Sequence, residues 1–233
     1  SKENRLCSLI LNGKDRPIKI ELQNFLKESG DTPGTRKTFI YNTFEKLMKA
    51  ISKSLKKNDP NHLNLGIRYG YIEQLDDELL RISKESFDAL SFNCYALSPD
   101  HEKMNHALEI SGLPMIIGEY HFGTVDRGLA QSLWQVNSQK ERGDAFRYYT
   151  ENAFAHRGLI GTGWFRWIDQ NINGRTDGEN YNCGFIDVTD RPYPYMVDAA
   201  IETAKSLYEI HSGTKTPFHQ APNAVGHSPI PDL

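Results

Sequence analysis

Four short apolar runs, each followed by a polar or helix-like segment, constrain the fold of this chain more than any other feature. The runs occupy residues 63–70, 89–96, 114–123 and 159–167. Helix-like segments follow them at residues 72–83, 101–112, about 140–157 and from Pro194 onward. Short buried strands that alternate with helices indicate parallel βα units. The sequence therefore predicts an α/β fold from about residue 60.

The two ends of the chain follow a different pattern. Before residue 59 we predict helices over residues 17–29 and along an apolar stripe from Ile40 to Leu55, and the only candidate strand is SLIL at 8–11. After residue 211 the chain holds four prolines and few apolar residues, which favours an extended strap. We therefore expect a main domain over residues 1–211 and a Pro-rich extended tail over residues 212–233.

Four strands are too few to close a barrel. They would leave two open edges and an uncovered sheet face, which stable proteins avoid. The four strands could form a small doubly wound sheet, or they could be half of a larger structure. Periodicity alone does not decide between these two architectures.

Charge and composition exclude several classes of partner. The chain has 27 Lys and Arg against 30 Asp and Glu, a net charge of −3, whereas nucleic-acid binding requires a basic face. Its three cysteines are widely spaced and lack a CxxC motif, so neither a zinc site nor a disulfide framework is predicted. No stretch approaches the roughly 20 apolar residues of a membrane span. We predict no nucleic-acid, membrane, metal or cofactor partner.

Polar and aromatic residues lie at the carboxyl end of each apolar run. They are Arg68 and Tyr69, Asn93 and Tyr95, Glu119 and His121, and Trp164, Arg166 and Trp167. In parallel βα architectures functional groups gather at the carboxyl ends of the strands, so these side chains should share one rim. Such a rim suits a neutral polyol ring, whereas a phosphate would require a glycine-rich loop leading into a helix.

Two long motifs on this rim resemble a known family. GEYHFG at 118–123 and GWFRWIDQNINGRTDGENYNCGFIDVTDRPYP at 163–194 resemble the C-terminal half of the catalytic domain of the β-agarases in glycoside hydrolase family 50. They are more distantly similar to the β-galactosidase-like (β/α)8 barrels of glycoside hydrolase clan A. PNHLNLGIRYG and ALSFNCYA fit barrel strands five and six, and residues 1–58 fit loosely as the connection after strand four. The resemblance implies that residues 1–211 form the C-terminal half, strands five to eight with their helices, of a TIM (β/α)8 barrel.

The resemblance also implies a retaining glycoside hydrolase that acts on a β-linked, galactose-containing polysaccharide. Glu119, at the end of barrel strand seven, matches the nucleophile, and Tyr95 should donate a hydrogen bond to its carboxylate. Arg68, Asn93 and His121 would flank Glu119. Strand alternation places His121 on the same side as Glu119, where we expect it to contact substrate or orient the carboxylate, although a buried core histidine is the alternative.

Two tryptophans and one long loop complete the predicted substrate site. Trp164 or Trp167 would form the floor of the subsite for the scissile sugar; their opposite strand parity predicts one packing ring and one subsite ring. Residues 169–180 match the first half of a calcium-binding loop, but their twelfth position is Asn180 instead of glutamate. We therefore expect the long loop here to present Asp169, Glu179 and Asn182 to substrate or to the barrel rim, without a metal.

The chain departs from its family at the acid/base residue. A retaining mechanism requires a second carboxylate about 5–5.5 Å from the nucleophile. In this family it belongs after strand four, in an Asn-Glu motif that the sequence lacks; Glu3 follows Lys2 and precedes Asn4. Either the acid/base and the N-terminal barrel half lie outside this chain, in the same or a separate polypeptide, or the chain is a non-catalytic homologue that binds glycan.

We favour the first of these explanations. A small α/β interaction domain, in which four strands suffice, is a third possibility. The family resemblance favours a periplasmic or secreted location, which the sequence does not otherwise indicate.

Overall fold

The computed structural model describes residues 1–226. Its helices are α1 (Lys2–Asn12), α2 (Pro17–Ser29), α3 (Pro33–Asn58), α4 (Asp77–Ser86), α5 (His101–Ser111), α6 (Gln139–Phe154) and α7 (Pro194–His211), with a 3-10 turn at Ile72–Gln74. Its strands are β1 (Arg68–Tyr69), β2 (Leu90–Asn93), β3 (Met115–Tyr120), β4 (Trp134–Gln135), β5 (Leu159–Trp164) and β6 (Val225–Gly226). Within residues 1–226 no helix combines the length and apolarity that crossing a membrane requires.

The chain forms two compact units. The first comprises Ser1–Asn64 and Asp76–Phe87, and the second comprises Leu65–Leu75 and the chain from Asp88 onward. The first unit is helical and contains α1 to α4. The strand predicted at residues 8–11 is wrong, because these residues lie within α1. Cys7, Ile10 and Leu11 recur at helical spacing and pack in the core with Leu22, so burial selects the helix.

A side-chain cap divides the helix that we predicted over residues 72–83. Asp76 precedes α4 and accepts a hydrogen bond from the backbone N–H of Leu79 at 3.1 Å. The same carboxylate accepts hydrogen bonds from Lys37 Nζ and the Tyr41 hydroxyl, each at 2.7 Å. An aspartate at this position satisfies a free N–H of the first turn and starts a helix. The regular helix therefore begins at Asp77 instead of residue 72.

The second unit contains the predicted parallel sheet. Its strands lie in the order β1-β2-β3-β5, and each neighbouring pair is parallel, which confirms the α/β class. Met115, Ile117 and Leu159 are buried, as are Leu90 and Phe92 of β2. The helices α5 and α6 connect successive strands of this sheet, and α7 follows β5. All carboxyl ends of these parallel strands therefore meet at one edge.

Between Ile117 and Tyr120 the strand β3 advances one residue further than the strand on each side. Phe92 of β2 pairs with Ile117, but the next residue, Asn93, pairs with Glu119 and leaves out Gly118. On the other side Ile117 pairs with Thr162 and Tyr120 pairs with Trp164, so β3 again advances one residue further. This is a β-bulge, which interrupts the strict alternation of side chains.

The described part of the tail lies along the second unit. The Phe218 N–H donates a hydrogen bond to the buried Glu151 carboxylate at 2.8 Å, and β6 pairs antiparallel with β4. The remaining residues of the predicted tail, 227–233, lie outside the described residues.

The packing of the first unit yields a prediction for stability. Leu22 is fully buried against Cys7, Leu26 and Phe39, so Leu22→Ala leaves a cavity and should lower the free energy of unfolding by about 2–5 kcal/mol. Ile20→Ala, on the exposed side of the same helix, should change it by less than about 0.5 kcal/mol. Urea unfolding followed by far-UV circular dichroism measures both variants. Equal losses for the two would contradict the assigned core.

Candidate active site

Three side chains from neighbouring strands converge on Glu119. Its Oε2 accepts hydrogen bonds from Asn93 Nδ2 at 3.0 Å and from the Tyr95 hydroxyl at 2.8 Å. Its Oε1 forms an ion pair with Arg68 Nη2 at 2.8 Å. Arg68 comes from β1, Asn93 ends β2 and Glu119 lies near the end of β3. The shared edge of the parallel sheet thus brings together donors that are distant in sequence, and these donors stabilise the ionised carboxylate.

The two groups on Oε2 are suited to remain neutral donors. Burial and the neighbouring Glu119 carboxylate raise the pKa of the Tyr95 hydroxyl well above its usual range, so the hydroxyl keeps its proton. Asn93 turns its Nδ2 toward Glu119, while its Oδ1 is buried without a hydrogen-bond partner. A buried unpaired acceptor costs about 1–3 kcal/mol, and such costs in native structures call for a functional explanation.

Glu119 opens into a cleft of about 230 Å³ and retains 18% side-chain exposure. The cleft is lined by Tyr71, Tyr95, Glu119, His121, Leu133, Phe165, Arg175 and Glu179. We did not predict Tyr71, Leu133 or Phe165 as site residues. Phe165 directly follows β5 and Tyr71 lies two residues after β1, so the rule that located Glu119 applies to them as well. Leu133 lies in a long loop and carries no sequence signal.

His121 is buried and lines the cleft, but both of its ring nitrogens bond to the backbone, so the prediction that it orients the Glu119 carboxylate is wrong and the alternative of a buried histidine holds. Nδ1 bonds to the Phe165 carbonyl at 3.0 Å, and Nε2 accepts the Leu133 N–H at 3.1 Å. Both ring nitrogens are therefore used, with the proton on Nδ1. Burial lowers the pKa of His121 to about 3, so the ring is neutral. The ring holds together two loops that line the cleft.

Of the two predicted tryptophans one packs inside the protein and the other is exposed, in line with their opposite strand parity, but neither lines this cleft. Trp164 donates its Nε1–H to the Cys183 carbonyl at 2.7 Å and packs edge-on against Tyr120. Trp167 is 68% exposed and stacks on Phe185 with ring centroids 6.1 Å apart. Phe165, which lies between the two tryptophans in sequence, does line the cleft.

Asp169 is buried, and its predicted role in substrate binding is wrong. Its carboxylate accepts hydrogen bonds from Asn182 Nδ2 at 2.8 and 3.0 Å, from the Gly184 N–H at 2.7 Å and from the Tyr193 hydroxyl at 2.6 Å. These donors occupy both oxygens. Asp169 therefore joins the start of the loop after β5 to its later part by hydrogen bonds.

Asn182 is likewise buried and was wrongly predicted to contact substrate. Its Oδ1 accepts hydrogen bonds from Gln139 at 2.7 Å, Thr124 at 2.9 Å and Arg142 at 3.0 Å. Gln139 and Arg142 belong to α6, whereas Asn182 lies in the loop after β5. This network, which the sequence did not reveal, joins the segments that follow β3 and β5.

Glu179 is the predicted loop residue that does line the cleft. Its Oε2 accepts a hydrogen bond from Gln170 Nε2 at 2.7 Å and lies 3.2 Å from Arg175 Nη1. Arg175 also pairs with Asp177 at 2.6 Å and lies over the Phe165 ring, 5.6 Å from its centroid. Among the described residues no group of three His, Cys, Asp or Glu side chains could hold a metal ion.

The arrangement is suited to nucleophilic chemistry on a ring-shaped substrate. Glu119 is a carboxylate held on both oxygens and open to a cleft with aromatic walls. The other carboxylate in the cleft, Glu179, is held by Arg175 and Gln170 through Oε2 alone. Donors on both oxygens therefore distinguish Glu119 from Glu179.

Known proteins similar to this chain are agarases. β-Agarase A of Vibrio sp. (strain JT0107) is 36% identical over 165 residues, which are 68% of this chain and 16% of that protein. β-Agarase B of the same strain is 34% identical over 170 residues, which are 70% of this chain and 17% of that protein. The crystal structure of the agarase AgWH50C is 32% identical, with a TM-score of 0.75, covering 87% of this chain and 32% of that one.

No protein-family model matches the sequence. The chain spans 16% and 17% of the length of the two curated relatives, so it corresponds to a small part of each.

The burial of His121 yields a prediction for its protonation. Since its pKa lies at about 3, long-range 1H–15N NMR should show a neutral ring with its proton on Nδ1 from pH 8 down to pH 4.5. The pKa of histidine in the unfolded chain is about 6.5, so above that pH the neutral His121 ring makes its full contribution to the free energy of unfolding. This contribution is lost as the pH falls from 6.5 toward 3, by at most about 1.4 kcal/mol per pH unit.

The variant His121→Gln assigns the signal and should show a flatter dependence of stability on pH. A His121 ring that protonates between pH 5.5 and 7 would contradict its described environment.

Proposed function

This chain is a relative of the β-agarases of glycoside hydrolase family 50, and on that premise we propose that it supplies the nucleophile of a retaining glycoside hydrolase. The resemblance read from the motifs at 118–123 and 163–194 is thereby confirmed. The proposed substrate is a β-linked, galactose-containing polysaccharide of the agarose type, because the relatives are named for that activity. Glu119 is the proposed nucleophile.

The observation that carries this proposal is the set of three donors around an accessible Glu119. A carboxylate that attacks carbon must be aimed at it, and Arg68, Asn93 and Tyr95 fix the direction of Glu119. A surface glutamate would be mobile and hydrated, and a buried structural one would face no cleft. Glu119 differs from both because it has fixed partners and opens into a cleft.

The proposed reaction has two steps with Glu119 at the centre. In the first step a Glu119 oxygen bonds to the anomeric carbon as the glycosidic bond breaks, and the leaving oxygen receives a proton from the acid/base carboxylate. In the second step that carboxylate takes a proton from water, whose oxygen bonds to the anomeric carbon and releases Glu119. Two inversions give net retention, and the two carboxylates must lie about 5–5.5 Å apart.

We place the acid/base carboxylate in polypeptide outside this sequence. Glu179 is a poor candidate because its Oε2 is already held within its own loop region by Gln170 and Arg175. The strands β1, β2, β3 and β5 lie side by side in chain order and run parallel, as successive strands of a (β/α)8 barrel do. They would be barrel strands five to eight, and the other four would pair with β1 and β5.

The cleft residues fit a polyol substrate by their chemistry. Tyr71 and Phe165 offer ring faces to sugar C–H groups, while Glu179 and Arg175 offer hydrogen-bonding groups to hydroxyls. Trp167, exposed and stacked on Phe185, is positioned to meet a sugar further along the polysaccharide. The charges of Arg175 and Glu179 offset each other, which favours a neutral galactan over a strongly anionic one.

Replacement of the nucleophile tests the proposal directly. In the natural full-length protein, Glu119→Gln should lower kcat on agarose oligosaccharides by more than about 1,000-fold, because an amide cannot form the glycosyl intermediate. Oligosaccharide binding, measured by calorimetry, should persist. Glu109→Gln, the same change on the exposed side of α5, should leave both quantities unchanged. Near-normal kcat in Glu119→Gln would refute the assignment.

Covalent trapping distinguishes catalysis from glycan binding alone. A 2-deoxy-2-fluoro-β-galactoside with a dinitrophenyl leaving group requires little acid assistance, and its fluorine slows the second step. Mass spectrometry should find the sugar on the peptide that carries Glu119 and not in Glu119→Gln. Binding of oligosaccharide without turnover or labelling would favour the non-catalytic, glycan-binding homologue instead.

A further inference from the structure

We propose that Gly118 is a positioning residue: the absence of a side chain at position 118 lets Arg68 lie across β3 and hold Oε1 of Glu119. The inference rests on the proposed role of Glu119 as nucleophile. It assigns a function to the bulge in β3, which the catalytic steps above do not use.

The bulge directs Glu119 toward the cleft. Ile117 is fully buried, and strict alternation would place residue 119 on the same side as Ile117. Because Gly118 is the extra residue, Asn93 pairs with Glu119, and the Glu119 side chain meets Arg68 and Asn93. Bulges beside active sites commonly redirect a side chain in this way.

Arg68 occupies the space that a side chain at position 118 would need. A Cβ built on Gly118 would overlap Arg68 Cδ, and it would lie 3.1 Å from Arg68 Cγ and 3.3 Å from Asn93 Oδ1. Arg68 starts on β1, two strands away from β3 in the sheet, so its side chain must pass over β2 to reach Glu119. The bare backbone at Gly118 provides the end of this path.

A side chain at position 118 would displace Arg68 more readily than the backbone. The two nearest atoms that it meets belong to Arg68, a flexible side chain that is 50% exposed, and the third is the more distant Asn93 Oδ1. Gly163 provides a contrast, because a Cβ there would lie 2.7 Å from the Gly118 carbonyl oxygen, a backbone atom. Substitution of Gly118 is therefore expected to change the position of Arg68 while the sheet remains intact.

The position of Arg68 matters because the two oxygens of Glu119 are held differently. Within residues 1–226, Oε2 receives two hydrogen bonds, from Asn93 and Tyr95, whereas Oε1 receives the ion pair with Arg68. A carboxylate oxygen has two lone-pair sites, so Oε1 keeps one free to bond to the anomeric carbon. Arg68 sets the direction of that lone pair, and Gly118 sets the position of Arg68.

The rate of trapping by the 2-fluoro galactoside isolates this effect, because it reports the attack of Glu119 alone. In the natural full-length protein, Gly118→Ala should lower the inactivation rate at saturating reagent by about 10- to 100-fold, the size expected for a displacement of about 1 Å. Gly161→Ala is the matched control on β5: its Cβ would lie 3.6 Å from Ile116, an ordinary contact, and the rate should be unchanged.

A double variant shows whether the effect passes through Arg68. Arg68→Ala should lower the rate to a similar extent, and Gly118→Ala combined with Arg68→Ala should be no slower than Arg68→Ala alone, since the overlap is gone. Thermal unfolding of each variant reports folding. Should Gly118→Ala unfold, recovery of a folded protein in the double variant supports the overlap, and an unfolded double variant overturns the inference.

Two outcomes separate this inference from the proposed function. If Glu119→Gln abolishes labelling while Gly118→Ala reacts like Gly161→Ala, or if the two changes multiply in the double variant, Gly118 has no positioning role and Glu119 remains the nucleophile. If the wild-type protein is not labelled at Glu119, the proposed function itself fails, and the role of Gly118 fails with it.

Discussion

The active site depends on the way one carboxylate is held. Glu119 receives an amide and a phenol on one oxygen and a guanidinium on the other; the first two donors come from the end of β2 and the third from β1. An ionised carboxylate in a partly enclosed cleft is stable only with such donors, and donors at this spacing require neighbouring parallel strands that end together. The bulge at Gly118 sets the direction of this carboxylate: in a regular strand the Glu119 side chain would point to the same side as the buried Ile117. The sheet, the bulge and the donors thus act as one unit.

A second set of polar groups holds the cleft walls and takes no part in the proposed chemistry. His121 joins the backbone at Leu133 to that at Phe165, both of which line the cleft. Asp169 and Asn182 connect the loop after β5 to α6. The ring nitrogens of His121, the carboxylate of Asp169 and the amide of Asn182 all have partners, so the loops gain a defined shape. Rigid walls of this kind keep a substrate ring at a constant distance from Glu119.

The sequence motifs predicted the candidate site better than they predicted the roles of its residues. The position at the carboxyl end of an apolar run identified Glu119, Asn93, Tyr95 and Arg68, and parallel strands bring such positions together. The same rule also selected His121 and Trp164, which the structure uses for packing and backbone hydrogen bonds. Residue type and spacing cannot separate these cases, because a polar group after a strand serves equally well as a ligand for substrate or for a loop. Only the neighbours in space decide.

By itself the sequence determined the alternation of strands and helices, the parallel sheet that follows from it, and the family to which the chain is related. These are local or statistical properties: hydrophobic periodicity and long motifs are legible in one dimension. Tertiary structure alone decided the helical state of residues 8–11, the burial of Asp169 and Asn182, and the bulge at Gly118. Each of these depends on which groups distant in sequence compete for the same space or the same hydrogen bond. The overlap of Arg68 with the empty position beside Gly118 is the clearest example, since it joins residues on β1 and β3 that no local pattern relates.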